Sequence, residues 1–177
     1  MDPADPWPAA PGPEGPPGRL LLRPLTPAVV QALVGGRRLD DWAADYPSDG
    51  DLVIAGLLDR AGAAAWSGPD AGWGHRQVVE RRSGLVVGGI GFAGPPAHGE
   101  VEVGYGIVPS RQGQGYATEA VLMMAALAWR DPAVTAVTAR TESGNAASRR
   151  VLEKAGFRPV AAGEEISYRL FRPAEPR

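Results

Sequence analysis

Two glycines, Gly113 and Gly115, stand in the segment EVEVGYGIVPSRQGQGYAT (100–118), between a β-patterned stretch and a run of strong helix formers. A helix N-terminus presents unpaired N–H groups and a partial positive charge, and small residues ahead of it let backbone amides close on phosphate oxygens. These residue types at this spacing describe an anion site for a pyrophosphate-bearing ligand. Two phosphate folds fit poorly. A P-loop requires G-x-x-x-x-G-K-[ST], and the segment has no Lys. A dinucleotide fingerprint requires a third small residue where Thr118 stands, and the strand that follows does not end on a ribose-binding acid at the usual spacing. A Gly-rich turn with no ligand is the reading these residues alone leave open.

Other chemistries are limited by composition. The chain has no Cys, which excludes a disulfide framework, a thiolate metal site and a Cys nucleophile. Its two histidines, His75 and His98, have no acidic cluster beside them in sequence, so no metal is expected, and both are read as solvent-facing residues of strand edges or loops. The formal net charge of −2 gives no broad cationic footprint, which argues against nucleic acid despite Arg37-Arg38, Arg81-Arg82 and Arg149-Arg150. No run approaches the apolar length of a membrane span and no leader pattern opens the chain, so a cytoplasmic location without a membrane partner is expected.

The elements that must position the site read as a mixed α/β fold. Residues 1–18 are too rich in Pro and Gly for a helix or sheet ladder and are expected to form a disordered tail, leaving one domain over 19–177. A strand is expected at 19–23, then a helix over 27–34 capped by Thr26 with Pro27 at its first position. A second helix is expected over 49–60, with Leu52, Val53, Gly56 and Leu57 on one face. Between them the acidic stretch around Trp42 and Tyr46 has no clean periodicity, and Trp66 and Trp73 are each candidates for lining a pocket or for packing. A hairpin spans 75–92 around Arg82-Ser83-Gly84, and a second returns through 93–99 into a strand over 100–108. Helix 117–130, strand 134–141, helix 145–155 stopped by Gly156, and strand 166–171 complete the order.

Gln112-Gly113-Gln114-Gly115-Tyr116-Ala117 resembles the acetyl-CoA signature [QR]-x-x-G-x-[GA] of the GNAT N-acetyltransferase superfamily at every defined position. The later block NAASRRVLEKAGF (145–157) is similar to the N-x-x-S-x-x-[VL]-L-E-K-x-G-F of the RimJ/RimL-like branch. Together these motifs span about 85–157, and the N-terminal part fits by element order only. The resemblance implies a GNAT fold, with a mostly antiparallel mixed sheet of about six to seven strands flanked by helices and splayed at the acetyl-CoA site. It implies acetyl-CoA as cosubstrate, pantetheine pairing with backbone at Ile107 and Val108, and pyrophosphate on the amides of Gln112, Gly113, Gln114, Gly115, Tyr116 and Ala117.

The same resemblance assigns side chains. Glu102, on a strand face with Gly104 and Gly106, stands where similar enzymes hold a general base, with Glu100 as second choice; a solvated strand carboxylate is the alternative. Asn145 is similar to the Asn that bonds the pantetheine arm and also reads as an N-cap. The Tyr that many such enzymes use as general acid is absent, because its position is Leu152. Ser148 resembles the Ser that faces the thiolate in RimL-like enzymes, while Tyr105 alternates to the face opposite Glu102 and is expected to pack against the long helix. The implied activity is direct transfer of acetyl to a primary amine, either a protein N-terminus or a small molecule, and similar proteins are often homodimers. An acyl-CoA sensor without turnover is the competing expectation.

Overall fold

The computed structural model of the chain describes residues 18–62 and 71–174. Seven strands form one sheet in the order β1-β2-β3-β4-β5-β7-β6. The strands are β1 Leu20–Pro24, β2 His75–Glu80, β3 Val86–Phe92, β4 Glu100–Ile107, β5 Ala136–Glu142, β6 Arg158–Ala161 and β7 Glu165–Phe171. All neighbours are antiparallel except β4 and β5. The helices are α1 Pro27–Val34, α2 Asp49–Ala61, α3 Tyr116–Ala128 and α4 Ala146–Lys154. This is the mixed, mostly antiparallel architecture expected. Trp66 and residues 1–17 of the expected tail lie outside the described residues.

Local chemistry sets the helix starts. Thr26 accepts from the Val29 N–H with Pro27 opening α1, and Ser48 and Asp51 form a reciprocal capping box at α2. Asn145 Oδ1 accepts from Ser148 N at 3.0 Å to cap α4. Helix α3 differs, because its N-cap is Gly115 in the left-handed region, with no side chain to cap the first turn. It buries Ala120, Val121, Met124, Ala125 and Ala128 against the sheet, so small residues bring its axis close to the strands that carry the site.

The expected apolar face of α2 is the wrong one. Leu52, Val53 and Leu57 are 43–62% exposed, whereas Asp51 and Ala55 are buried. Tertiary packing turned the helix so that a carboxylate, satisfied by Ser48, faces the sheet. Strand β6 was absent from the expected order; at four exposed residues it has no alternation to read. In the aperiodic stretch before α2, Trp42 and Tyr46 meet edge to face with centroids 5.0 Å apart. There Arg38 donates to the carbonyls of Trp42, Ala43 and Tyr46, fixing by side-chain hydrogen bonds a segment that has no ladder of its own.

Three of the seven residues of β3 (VVGGIGF) are glycines, and at these its neighbours leave no room for a Cβ: on Gly88 one would stand 2.2 Å from the Gly106 carbonyl oxygen. Gly88→Ala should therefore destabilise the chain by about 3 kcal/mol, the upper end of overpacking costs. Gly94→Ala, with open space at its Cβ position, should be near neutral. Urea unfolding of both variants checks the pairing of β3 with β4.

Candidate active site

Strand β4 pairs in parallel with β5 only over Glu100, Val101 and Glu102, opposite Ala136, Val137 and Thr138. On its other edge it stays paired with β3 as far as Ile107. Ala93 N donates to the Glu102 carbonyl and Val108 N to the Val87 carbonyl, so the even-numbered peptides of β4 turn toward β3. The alternation of a strand then directs Val103, Tyr105 and Ile107 toward the gap that opens beside β5. Val108 is fully buried and its N–H is taken by Val87, so of the two expected backbone positions only Ile107 faces the gap. Its carbonyl accepts Gln112 Nε2 at 2.8 Å.

A cleft of about 450 Å³ lies along this gap, lined by Tyr105, Gly106, Ile107, residues of the 111–118 turn and the inner face of α4 from Asn145 to Lys154. The structure thus brings together Ile107, Gln112, Gly113, Gly115, Tyr116, Ala117, Asn145 and Ser148. Gly113 and Gly115 have φ of 74° and 83°, which side chains rarely adopt. Arg19 Nη1 donates to the Gln114 carbonyl at 2.8 Å, which fixes the turn from outside and draws that carbonyl away from the helix N-terminus. Arg111, Arg150 and Lys154 also line the cleft, three cations suited to phosphate, of which the sequence analysis weighed only Arg150, and for nucleic acid. Their spacing on the turn and on α4 was the available signal.

Beneath the turn lies a buried carboxylate. Glu80 accepts from Tyr116 Oη at 2.6 Å and from Ser83 Oγ, with Arg111 Nε 3.5 Å away. The hydrogen bonds from Ser83 and then Tyr116 hold this carboxyl below the ordinary glutamate range against the opposing effect of burial. The bond to Glu80 in turn raises the Tyr116 phenol. Strand β2 is thereby tied to the first residue of α3.

Ser148 stands at the other wall. Its Oγ is 2.9 Å from Tyr105 Oη, which also approaches the Ser148 carbonyl at 3.2 Å. Tyr105 was expected only to pack on the long helix; it is instead half-buried and bonded to α4. Burial raises its phenol above the usual tyrosine value despite the Ser148 bond, so it stays protonated at neutral pH and can donate.

Glu102 lies on the opposite side of β4, on the glycine-lined face as expected, and both its oxygens accept from Arg140 Nε, at 3.0 and 3.1 Å. Glu100 pairs with Arg169 at 2.8 Å. The acidic segment is less free than its composition suggests. Asp41 pairs with Arg23, Asp45 accepts from Ser110 N and Oγ, and Asp51 is buried. Trp73 is buried against Phe92, with centroids 5.2 Å apart. His98 is exposed in its loop as expected, but His75 is not solvent-facing: its side chain is 13% exposed and Asp51 Oδ1 is 3.7 Å from its Nε2. Among the described residues no group of acidic, His and Cys side chains could hold a metal, and no helix is long and apolar enough to cross a membrane.

A parted strand pair, a helix N-terminus without a side-chain cap and a cleft between them make up the site. Residues 19–158 match the acetyltransferase (GNAT) domain family, and the chain belongs to it. It is 36% identical over 81 residues to the uncharacterized N-acetyltransferase YjdG of Bacillus subtilis (strain 168), covering 45% of this chain and 48% of that protein. The chain thus spans about half the length of this curated relative. The fold is similar to that of the ribosomal-protein-S5-alanine acetyltransferase of Vibrio fischeri (TM-score 0.58, 15% identity, covering 87% and 93% of the two chains). It is also similar to the aminoglycoside acetyltransferase AAC(6')-Ib in complex with coenzyme A (TM-score 0.58, 18% identity, covering 86% and 95%).

The depressed Glu80 carboxyl makes a signed prediction. A carboxyl whose folded value lies below its unfolded value of about 4.3 contributes stability above that pH and loses it as pH falls through the folded value. Glu80→Gln should therefore lower the melting temperature at pH 7 and flatten its decline between pH 5 and 3, as read by circular dichroism across that range.

Proposed function

We propose that this chain is an acetyl-CoA-dependent N-acetyltransferase that passes the acetyl group directly to a primary amine, in the RimJ/RimL-like manner its 145–157 block resembles. The observation that carries the reading is the Tyr105–Ser148 hydroxyl pair in the cleft beside the open edge of β4. Pantetheine amides find the gap-facing peptides of Val103, Tyr105 and Ile107, and the pyrophosphate lies on the amides of Gln112 to Ala117, with Arg111, Arg150 and Lys154 around it. Asn145 lies at the cleft wall within reach of the arm.

Aminolysis requires a neutral amine and a stabilised leaving thiolate. The amine lone pair forms the C–N bond, and the C–S electron pair departs on sulfur. Ser148 and Tyr105 supply hydroxyls to that developing charge, a role suited to preorganised donors. Glu102, at the point where β4 leaves β5, is a candidate for the group that takes the amine's proton; with both oxygens held by Arg140, it receives one only by way of water or by releasing that pair. Arg140 is itself drawn toward its charged form by Glu102. The acceptor is a protein N-terminal amine or a small amine, the two classes represented by the S5-alanine and aminoglycoside enzymes of similar fold.

The test is release of free thiol from acetyl-CoA in the presence of N-terminal Ala and Ser peptides, spermidine and an aminoglycoside. Ser148→Ala and Tyr105→Phe should each lower kcat by about 100-fold. The double variant should be little worse than either single one, because the two hydroxyls act as a bonded unit. Glu102→Gln loses turnover only if Glu102 carries the proton. Gly115→Val should abolish acetyl-CoA binding by forcing the turn out of its left-handed conformation. Tight acetyl-CoA binding without release would return the acyl-CoA sensor, and no binding would overturn the assignment.

A further inference from the structure

The face of the sheet opposite α3 carries an arrangement that the reading above does not use. His75 and Gln77 of β2 stand in register with Gly91 and Gly89 of β3, which in turn pair with Gly104 and Gly106 of β4. Four glycines in two adjacent strands leave that surface without side chains, and the His75 imidazole occupies the space over the first two. A Cβ on Gly91 would stand 2.5 Å from His75 Nδ1, and one on Gly89 would stand 2.6 Å from Nε2 and 1.9 Å from Asp51 Oδ1. Over Gly104 nothing lies within 4 Å of the Cβ position, and over Gly106 the nearest atom is Ser48 Oγ at 3.6 Å. The imidazole thus lies over Gly89 and Gly91, and the bare surface continues over Gly104 and Gly106 of β4, beyond the point where that strand leaves β5.

Its polar environment is equally specific. Asp51 is buried on α2, and its Oδ2 accepts from both Ser48 N at 3.0 Å and Ser48 Oγ at 2.6 Å. Oδ1 is left turned toward His75 Nε2 at 3.7 Å, and Nε2 is buried with no hydrogen-bond partner. Of the two neutral tautomers, the one with hydrogen on Nε2 is the one that presents a donor toward Asp51 Oδ1. Nδ1, over Gly91, is then the nitrogen with a lone pair to offer. The capping box of α2, whose buried face the sequence did not reveal, thereby also orients an imidazole.

We propose that His75 is the general base of the transfer, taking the proton from the acceptor ammonium on the glycine-floored side of β4, with Asp51 as its positioning residue. The inference rests on the acetyltransferase reading above. The acceptor arrives as RNH3⁺, and one proton passes to His75 Nδ1, directly or through one water, leaving an imidazolium beside Asp51. The neutral amine then forms the C–N bond while the C–S pair departs on sulfur. A second proton leaves the nitrogen for the thiolate by way of the Ser148–Tyr105 hydroxyls, and the imidazolium returns the first to solvent. The products are the amide, the free thiol and one released proton. Glu102, held by Arg140, then borders that bare surface as a fixed charge.

The test compares wild type, His75→Ala, Asp51→Asn and the double variant, with His98→Ala as the control for the other histidine. All are assayed by thiol release with whichever panel amine wild type accepts and, separately, with hydroxylamine, which is largely unprotonated at neutral pH and needs no base. His75→Ala should lose about 100-fold or more in kcat with the ammonium acceptor, keep its KM for acetyl-CoA, keep most of its hydroxylamine rate, and regain turnover when imidazole is added. Asp51→Asn should lose less, and nothing further in the His75→Ala background, which a merely structural role for Asp51 would not produce. Equal kcat in wild type and His75→Ala, or equal losses with both nucleophiles and no rescue, would overturn the assignment. A wild-type chain that binds no acetyl-CoA would instead overturn the acetyltransferase reading itself.

Discussion

Strand β4 keeps its partner on one edge and gives it up on the other after three residues, and a strand edge left open inside a fold holds peptide groups that must find acceptors and donors elsewhere. One is met internally, where Gln112 donates to the Ile107 carbonyl. Tyr105 and Ile107 border the cleft along that edge. The Tyr105–Ser148 pair stands on one side of β4, and the glycine floor with Glu102 and His75 on the other.

The turn after β4 depends on that same edge. Its shape requires two left-handed glycines, and it is fastened from below by Glu80 through Tyr116 and from outside by Arg19 through the Gln114 carbonyl. Each fastening reaches it from the β1–β2 side of the sheet, so the turn is held by residues 36 and 95 positions away in sequence. A helix N-terminus held this way keeps its free amides in a fixed arrangement.

The two faces divide the labour by polarity. On the α3 side, small apolar residues bury the helix against the sheet and the hydroxyl pair sits at the margin. On the other side, glycines replace side chains over the middle strands. The polar groups there come in from flanking elements: Ser48 and Asp51 from α2, His75 from β2, and Arg140 from β5.

Much of this was legible in the chain itself. The anion turn, the long helix and the Asn145 cap are local: a left-handed glycine, a run of helix formers and a capping side chain act within a few residues, and the motif over 112–117 and the block over 145–157 carry them in order. The element sequence followed from periodicity for the same reason, and it failed where periodicity is weak, at the exposed four-residue β6 and at the orientation of α2. What only the tertiary structure decided is which distant side chains meet. Tyr105 was assigned to packing because its alternation places it on the helical face, yet the parting of β4 from β5 is what brings it to Ser148. His75 looked like an edge residue until the glycines of β3 let it lie over the sheet against Asp51. Side-chain pairs of this kind depend on strand register and helix rotation, which are set by burial summed over the whole core, and no local pattern in the sequence encodes them.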